Sequence, residues 1–334
     1  MLSDSEINEY ITTSVRLGSY HELIQGSGGN FSFKNDKYII IKSSGRVLAE
    51  TNKDYGYVIC SLDKLNKCIE DSSIKIKTTV VGGELNGTPS MEVFFHLIPY
   101  KWIIHVHPTS LLVYLCQSKW DKLYSSYKYS YIKYKTPGKE LGVSILESYK
   151  GEQVIFLQNH GIIVCSNSIE EINLILDDLY KINLNTIESP INNNEFTDMY
   201  SFNEYINSLS TQNLVIKPCK TIIKLNNPFY SITPDIALFL KKEPLIKTEY
   251  GKSRTELLDI YYKKFHTIPS VIQFGNMIYI CGKSYHQCIT IEEILISYLE
   301  ILSKCNPIDL HLFDETNLVS IKSSESEIHR LNIA

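Results

Sequence analysis

The chain has 334 residues, 43% of them hydrophobic and 21% charged, enough for one large domain or two ordinary ones with a sizeable core. A net charge of -4 without a Lys/Arg stripe excludes the electrostatic footprint of a nucleic-acid binder. No run of about 18 apolar residues is present, and the start Met1-Leu2-Ser3-Asp4-Ser5-Glu6 lacks the basic and apolar regions of a signal peptide, so a cytoplasmic protein without membrane attachment is expected.

In chain order, Ser3 to about Ser19 reads as a helix, with Ser3 and Glu6 as a capping box, Ile7, Ile11, Val15 and Leu17 as its apolar face, and Gly18 as its stop. Gly26-Ser27-Gly28-Gly29-Asn30 then enters the alternating strand Phe31-Ser32-Phe33. Such a loop brings backbone N–H groups close to an anion, although a plain hairpin turn has the same composition. Lys37–Lys42 is a strand that runs into the small-residue turn Ser43-Ser44-Gly45-Arg46. Tyr57–Cys60 and Ile74–Val81 read as further strands. Thr88-Pro89-Ser90-Met91-Glu92 opens a predicted helix, with Glu92 and His96 four apart on one face.

The strand Trp102–Pro108 ends in His105-Val106-His107. Side chains two apart share one face of a strand, so the two imidazoles point together, which is half of a first-row metal site. A helix over about Ser110–Gln117 follows, then a tyrosine-rich loop over Lys119–Tyr134, a helix over Glu140–Tyr149 and a buried strand Val154–Leu157. That strand ends in Gln158-Asn159-His160-Gly161, and Ile162–Cys165 and a helix from Ile169 to about Ile182 come next. Three imidazoles at strand ends leave one coordination position open, the pattern of a catalytic metal, and Glu92 supplies a carboxylate for it. The eight cysteines form no C-x-x-C pair and read as reduced core thiols.

Residues 1–185 are assigned to a first domain, 186–215 to an Asn/Ser/Thr-rich linker, and 216–334 to a smaller α/β domain. The latter has predicted strands at Leu214–Ile216, Ile236–Leu240, Val271–Phe274 and Ile278–Cys281, and helices near 251–265 and 290–303. Val154–Ile172 and Val271–Ile294 share a strand–turn–strand–helix pattern, either as a diverged partial repeat without metal ligands or as unrelated units with the same apolar patterning.

Taken in order, GGN-F-S at 28–32, SSG at 43–45, PSME-x-x-x-H at 89–96, HVHP at 105–108 and QNHG at 158–161 resemble the class II aldolase/adducin family over about residues 5–185. The resemblance implies a three-layer α/β/α sandwich with a mixed, largely antiparallel sheet, and a homotetramer with active sites between subunits. It implies one Zn2+ per subunit, or another divalent metal, held by His105, His107 and His160, with Glu92 as acid/base and a further metal ligand. Gly29, Asn30, Ser44, Gly45 and Ser90 match the substrate-phosphate cradle, and His96 a structural histidine. A tyrosine from a neighbouring subunit, Tyr124 or Tyr127, would protonate the leaving aldehyde. The implied chemistry is carbon–carbon cleavage of a sugar or sugar phosphate through a zinc-stabilised enediolate. Epimerisation, dehydration or decarboxylation on the same scaffold is the alternative. A non-catalytic adducin-like module is a third reading, against which the three histidines argue. Met91 stands where the family commonly has a second serine, and methionine donates no hydrogen bond to a phosphate.

Overall fold

A computed structural model describes residues 2–121, 123, 125–180, 199–210, 212–219, 225, 229–240, 243–247 and 252–333. It divides into two compact units: Met1–Asn183 with Ile232–Pro234 and Glu300–Ala334, and Leu184–Ser231 with Asp235–Leu299. Residues 300–334, assigned from sequence to the smaller domain, thus pack with the first unit.

The first unit runs α1 (Asp4–Gly18), β1 (Asn30–Lys34), β2 (Tyr38–Lys42), β3 (Tyr57–Ser61), α2 (Leu62–Glu70), β4 (Val80–Gly83), β5 (Trp102–Val106), α3 (Thr109–Leu115), β6 (Tyr129–Ile132), α4 (Lys139–Ser148), β7 (Val154–Leu157), β8 (Gly161–Ser166) and α5 (Ile169–Tyr180). The Ser3/Glu6 capping box starts α1 as expected. The strands form one sheet in the order β4-β3-β2-β1-β5-β8-β7-β6. Every pairing is antiparallel except β6 with β7, so the sheet is mixed and largely antiparallel.

Period-two alternation sorts the buried side chains to two faces. Ile40, Trp102, Ile104, Val106, Phe156, Ile162 and Val164 meet residues of α1, α3 and α5 on one side. Their alternates Ile103, Ile155, Leu157, Ile163 and Cys165 meet Leu141 and Ile145 of α4, and Ile39, Ile41, Val58 and Cys60 meet Leu65 and Cys68 of α2. Helices therefore cover both faces, giving the expected three layers. Each fully buried Ile or Phe here contributes about 1.5–3 kcal/mol over an exposed one.

Two local expectations are corrected. Ile74–Val81 is not one strand: Ile76–Thr79 is a 3-10 turn, and the strand is Val80–Gly83. Ile74, Ile76 and Val80 all pack against the same cluster, which period-two and turn geometries satisfy equally. No α-helix begins at Thr88; a 3-10 helix spans Val93–Leu97, with Glu92 at its N-cap in the bridge region (φ -92°, ψ 7°). Pro99 keeps Ile98 in extended backbone (φ -55°, ψ 148°), which ends the helix at Leu97.

Lys34 holds that short helix in place. Its Nζ donates to the carbonyls of His96 (2.8 Å), Ile98 (2.6 Å) and Tyr100. Replacing it, Lys34→Met, strips the donor from three carbonyls behind Glu92. The expected cost is about 2–3 kcal/mol, read as a lower urea midpoint at unchanged m.

The second unit contains α6 (Met199–Leu209), β9 (Val215–Pro218), a π-helical turn Ile236–Leu240, β10 (Leu245–Lys247), α7 (Arg254–Phe265), β11 (Val271–Phe274), β12 (Met277–Gly282) and most of α8 (Tyr285–Lys304). Its sheet order is β10-β11-β12-β9. The apolar run Ile236–Leu240 is helical rather than a strand, since five consecutive buried residues carry no period to separate the two. Of the sequence-assigned linker, 186–198 lies outside the described residues, and Met199–Leu209 is helix. The hairpins β7–β8 and β11–β12 are both antiparallel and both lead into helices, but the first is joined by three residues, Gln158 to His160, and the second by two, Gly275 and Asn276. After α8 the chain returns to the first unit as α9 (Glu315–Ser323) and α10 (Glu325–Ile333).

Candidate metal centre and substrate pocket

Strand register brings the separated motifs to one sheet end. Asn30 at the start of β1 pairs with His105 near the end of β5, and Val106 pairs with Ile162 at the start of β8. The glycine-rich loop, the two-histidine strand end and the His160 loop therefore meet. Two glycines permit the contact. A Cβ on Gly29 (φ +55°) would lie 2.7 Å from the His105 carbonyl oxygen, and one on Gly161 would lie 2.3 Å from that of Val106.

His105, His107 and His160 are all buried and offer ligand atoms within 4.8 Å of one another. The Nε2 of His105 lies 2.9 Å from that of His107 and 3.3 Å from that of His160. Nitrogens around a tetrahedral ion with bonds of 2.0–2.1 Å are about 3.3 Å apart, so the spacing fits a metal. His105 Nδ1–H donates to the Ile162 carbonyl (2.9 Å), which leaves the lone pair on Nε2 facing its two partners. Burial and the two neighbouring imidazoles hold the His105 pKa well below the ordinary histidine value, so the ring is neutral and able to ligate. Donor type, tautomer and spacing all agree with a divalent cation.

Glu92 stands over the cluster, with Oε1 3.4 Å from His160 Nε2 and Oε2 3.7 Å from His105 Nε2. Burial raises its pKa to about 7 against the lowering effect of His107 and of an Asn30 hydrogen bond. The carboxylate is aimed by a chain of hydrogen bonds. Asn30 Nδ2 donates to Glu92 Oε2 (2.8 Å), Asn30 Oδ1 accepts from His96 Nε2, and His96 Nδ1 accepts from Ser32 Oγ (2.6 Å). Those directions follow from the amide, since its nitrogen must face the carboxylate. Burial holds His96 neutral, as this relay requires.

Asn159 fixes the loop that carries His160. In left-handed backbone (φ +55°), its Nδ2 donates to the carbonyls of Ile232 (2.7 Å) and His311 (2.8 Å). Asn159→Ala removes both bonds and strains the turn. About 2–3 kcal/mol of stability and about tenfold in metal retention against a chelator are expected to be lost, read by thermal melting and chelator competition.

A pocket opens beside these groups. Gly29, Asn30, Ser44, Gly45, Ser90 and Met91 line it together with Glu92, His107 and His160. Lys42, almost fully buried, also lines the pocket and braces the glycine-rich loop by donating to the carbonyls of Ser27 (2.6 Å) and Gly28 (3.0 Å).

A family model for the Class II Aldolase and Adducin N-terminal domain matches residues 9–177. The chain belongs to this family. An L-fuculose phosphate aldolase of Methanococcus vannielii is 25% identical over 175 residues, which is 48% of this chain and 86% of that protein. Among solved structures, the N-terminal class II aldolase domain of a Thermoplasma acidophilum protein is 22% identical, with a TM-score of 0.45 over 54% of this chain and 93% of that one. An L-fuculose 1-phosphate aldolase is 23% identical, with a TM-score of 0.43 over 54% and 84%.

Of the residues read from the class II aldolase motifs, the structure brings together Gly29, Asn30, Ser44, Gly45, Ser90, Glu92 and the three histidines. Tyr124 lies outside the described residues. Tyr127 packs in its own chain against the core on the α1/α3/α5 face, away from the pocket lining. The sequence reading missed Glu327 and Arg330 of α10, which form a further part of the pocket wall. Tyr134, the last tyrosine of the tyrosine-rich loop, packs at a tilt against Phe313 (4.3 Å between ring centroids), and its phenol pKa is raised by burial and by the Glu327 charge. No local pattern marks Glu327 and Arg330; the signal is the return of residues 300–334 to the first unit. No helix among the described residues is long and apolar enough to cross a membrane. All eight cysteines are buried free thiols.

Proposed function

We propose that the chain is a divalent-metal-dependent lyase that cleaves, and in reverse forms, a carbon–carbon bond in a sugar phosphate. The observation that carries this reading is the placement of one buried carboxylate, Glu92, within 3.4–3.7 Å of two of three clustered imidazoles beside a pocket. His105, His107 and His160 would hold the metal, one Zn2+ per subunit. A bound divalent ion supplies Lewis-acid stabilisation of negative charge on substrate oxygens. Glu92 takes or returns the proton at the carbon adjacent to the broken bond, and Asn30 keeps the carboxylate pointed there. Ser44, Gly45, Ser90, Gly29 and Asn30 hold the substrate. Tyr124 or Tyr127 acts, in this reading, toward a neighbouring subunit of a cytoplasmic homotetramer. The Methanococcus vannielii relative, whose name is that of a sugar-phosphate aldolase, supports the substrate class.

The test is metal analysis of the purified full chain, followed by a screen of ketose phosphates with products read by NMR. An aldehyde and a shorter ketone phosphate in equal amounts are expected. A single product of unchanged mass, or one that has lost water or CO2, would move the assignment to epimerisation, dehydration or decarboxylation. Absence of bound metal would return it to a non-catalytic module.

A further inference from the structure

The pocket wall opposite the histidines raises a question of charge. Its donors from the glycine-rich loop, the Ser44–Gly45 turn and Ser90 are neutral, and Met91 donates nothing. Lys42 also lines the wall, but its ammonium donates to the Ser27 and Gly28 carbonyls and holds the loop. A second positive charge in the wall, in a forked guanidinium, comes from Arg330 on α10, in the segment that returns to the first unit. Its side chain is only 13% exposed, its Nε donates to Ser27 Oγ (3.3 Å), and its Nη1 lies 3.3 Å from Glu327 Oε2. The Glu327 side chain is 1% exposed, so an internal carboxylate occupies the guanidinium inside the pocket.

We propose that Arg330 is the anion-selecting residue of this pocket, binding the phosphate-monoester end of the substrate, and that Glu327 occupies Arg330 until that phosphate displaces it. A guanidinium presents five N–H donors in a planar fork that matches tetrahedral phosphate oxygens. It restores on α10 the anion recognition that Met91 removes next to Glu92. An internal carboxylate on the same fork keeps the buried cation paired while the pocket is empty. It also sets a threshold: a dianionic phosphate competes with Glu327 better than a monoanionic carboxylate or a neutral sugar. The inference rests on the reading of this pocket as the substrate site, but not on which reaction occurs there.

Inorganic phosphate is the probe, titrated calorimetrically into the full chain as purified, with bound metal quantified in each sample. Arg330→Ala is expected to weaken phosphate binding about 10–100-fold with metal content unchanged. Arg330→Lys should fall between the two, keeping the charge without the fork. Glu327→Gln should tighten binding about threefold, on the order expected for one weakly competing charge. Acetate should bind at least about tenfold more weakly than phosphate. Wild-type phosphate affinity in Arg330→Ala, or equal acetate and phosphate affinities, overturns the assignment of Arg330. Weaker phosphate binding in Glu327→Gln overturns the competing role of Glu327. If Arg330→Ala does not fold, Arg330→Lys and Glu327→Gln still decide. Arg330-dependent phosphate binding without aldol cleavage would defeat the proposed reaction and leave this inference standing; aldol cleavage with Arg330-independent phosphate binding would do the reverse.

Discussion

His105→Ala is expected to abolish stoichiometric metal binding and to lower kcat/KM at least about 10³-fold, equivalent to about 4 kcal/mol of transition-state stabilisation. His105 is the shared vertex of the cluster: its Nε2 makes both short approaches, 2.9 Å to His107 and 3.3 Å to His160. It is also the ligand whose tautomer is locked, through Nδ1 and the Ile162 carbonyl. Without it two imidazoles remain, too few to hold a catalytic ion against water. The side chain is fully buried, so truncation leaves a cavity as well, and a loss of about 2–3 kcal/mol in stability should accompany the chemical effect. Elemental analysis and rate measurements on the same sample check this. Undiminished metal in the folded variant would show that the histidines hold the ion elsewhere or not at all.

Glu92→Gln separates acid/base chemistry from metal binding. The amide keeps the size of the carboxylate, and its oxygen still accepts from Asn30 Nδ2, so the hydrogen-bond chain through Asn30, His96 and Ser32 can persist. What disappears is a group that gains and loses a proton. The expected result is a fall in kcat of about 10²–10⁴-fold, with metal content near that of the wild type and stability within about 1 kcal/mol. A variant with wild-type turnover would remove Glu92 from the chemistry. A variant without metal would make it a ligand first and a base second.

The metal cluster was legible in the sequence because two simple periods reveal it. His105 lies on β5 with His107 one residue beyond its end, and His160 closes the three-residue turn between β7 and β8. The glycine-rich loop was read as an approach of backbone N–H groups to an anion or as a plain turn; the close approach that Gly29 permits is to the His105 carbonyl. Glu92 was found by motif, but its setting was misread: the apolar run Val93–Ile98 is buried nearly throughout, and such a run holds no period to separate an α-helix from the 3-10 turn observed. The same ambiguity misplaced Ile236–Leu240. Glu327 and Arg330 were invisible for a different reason. Arg330 meets Ser27 across 303 residues of chain, and charged residues on a short amphipathic helix look like any solvated surface.

That long span has a consequence for how the protein is made. When synthesis has passed His160, every imidazole of the cluster is present, but α10 is still about 170 residues away. At bacterial or eukaryotic elongation rates this interval is roughly 10–30 s. The part of the pocket wall formed by Glu327 and Arg330 is therefore the last to be synthesised, and a chain that stops short of α10 has the three histidines and Glu92 without Arg330.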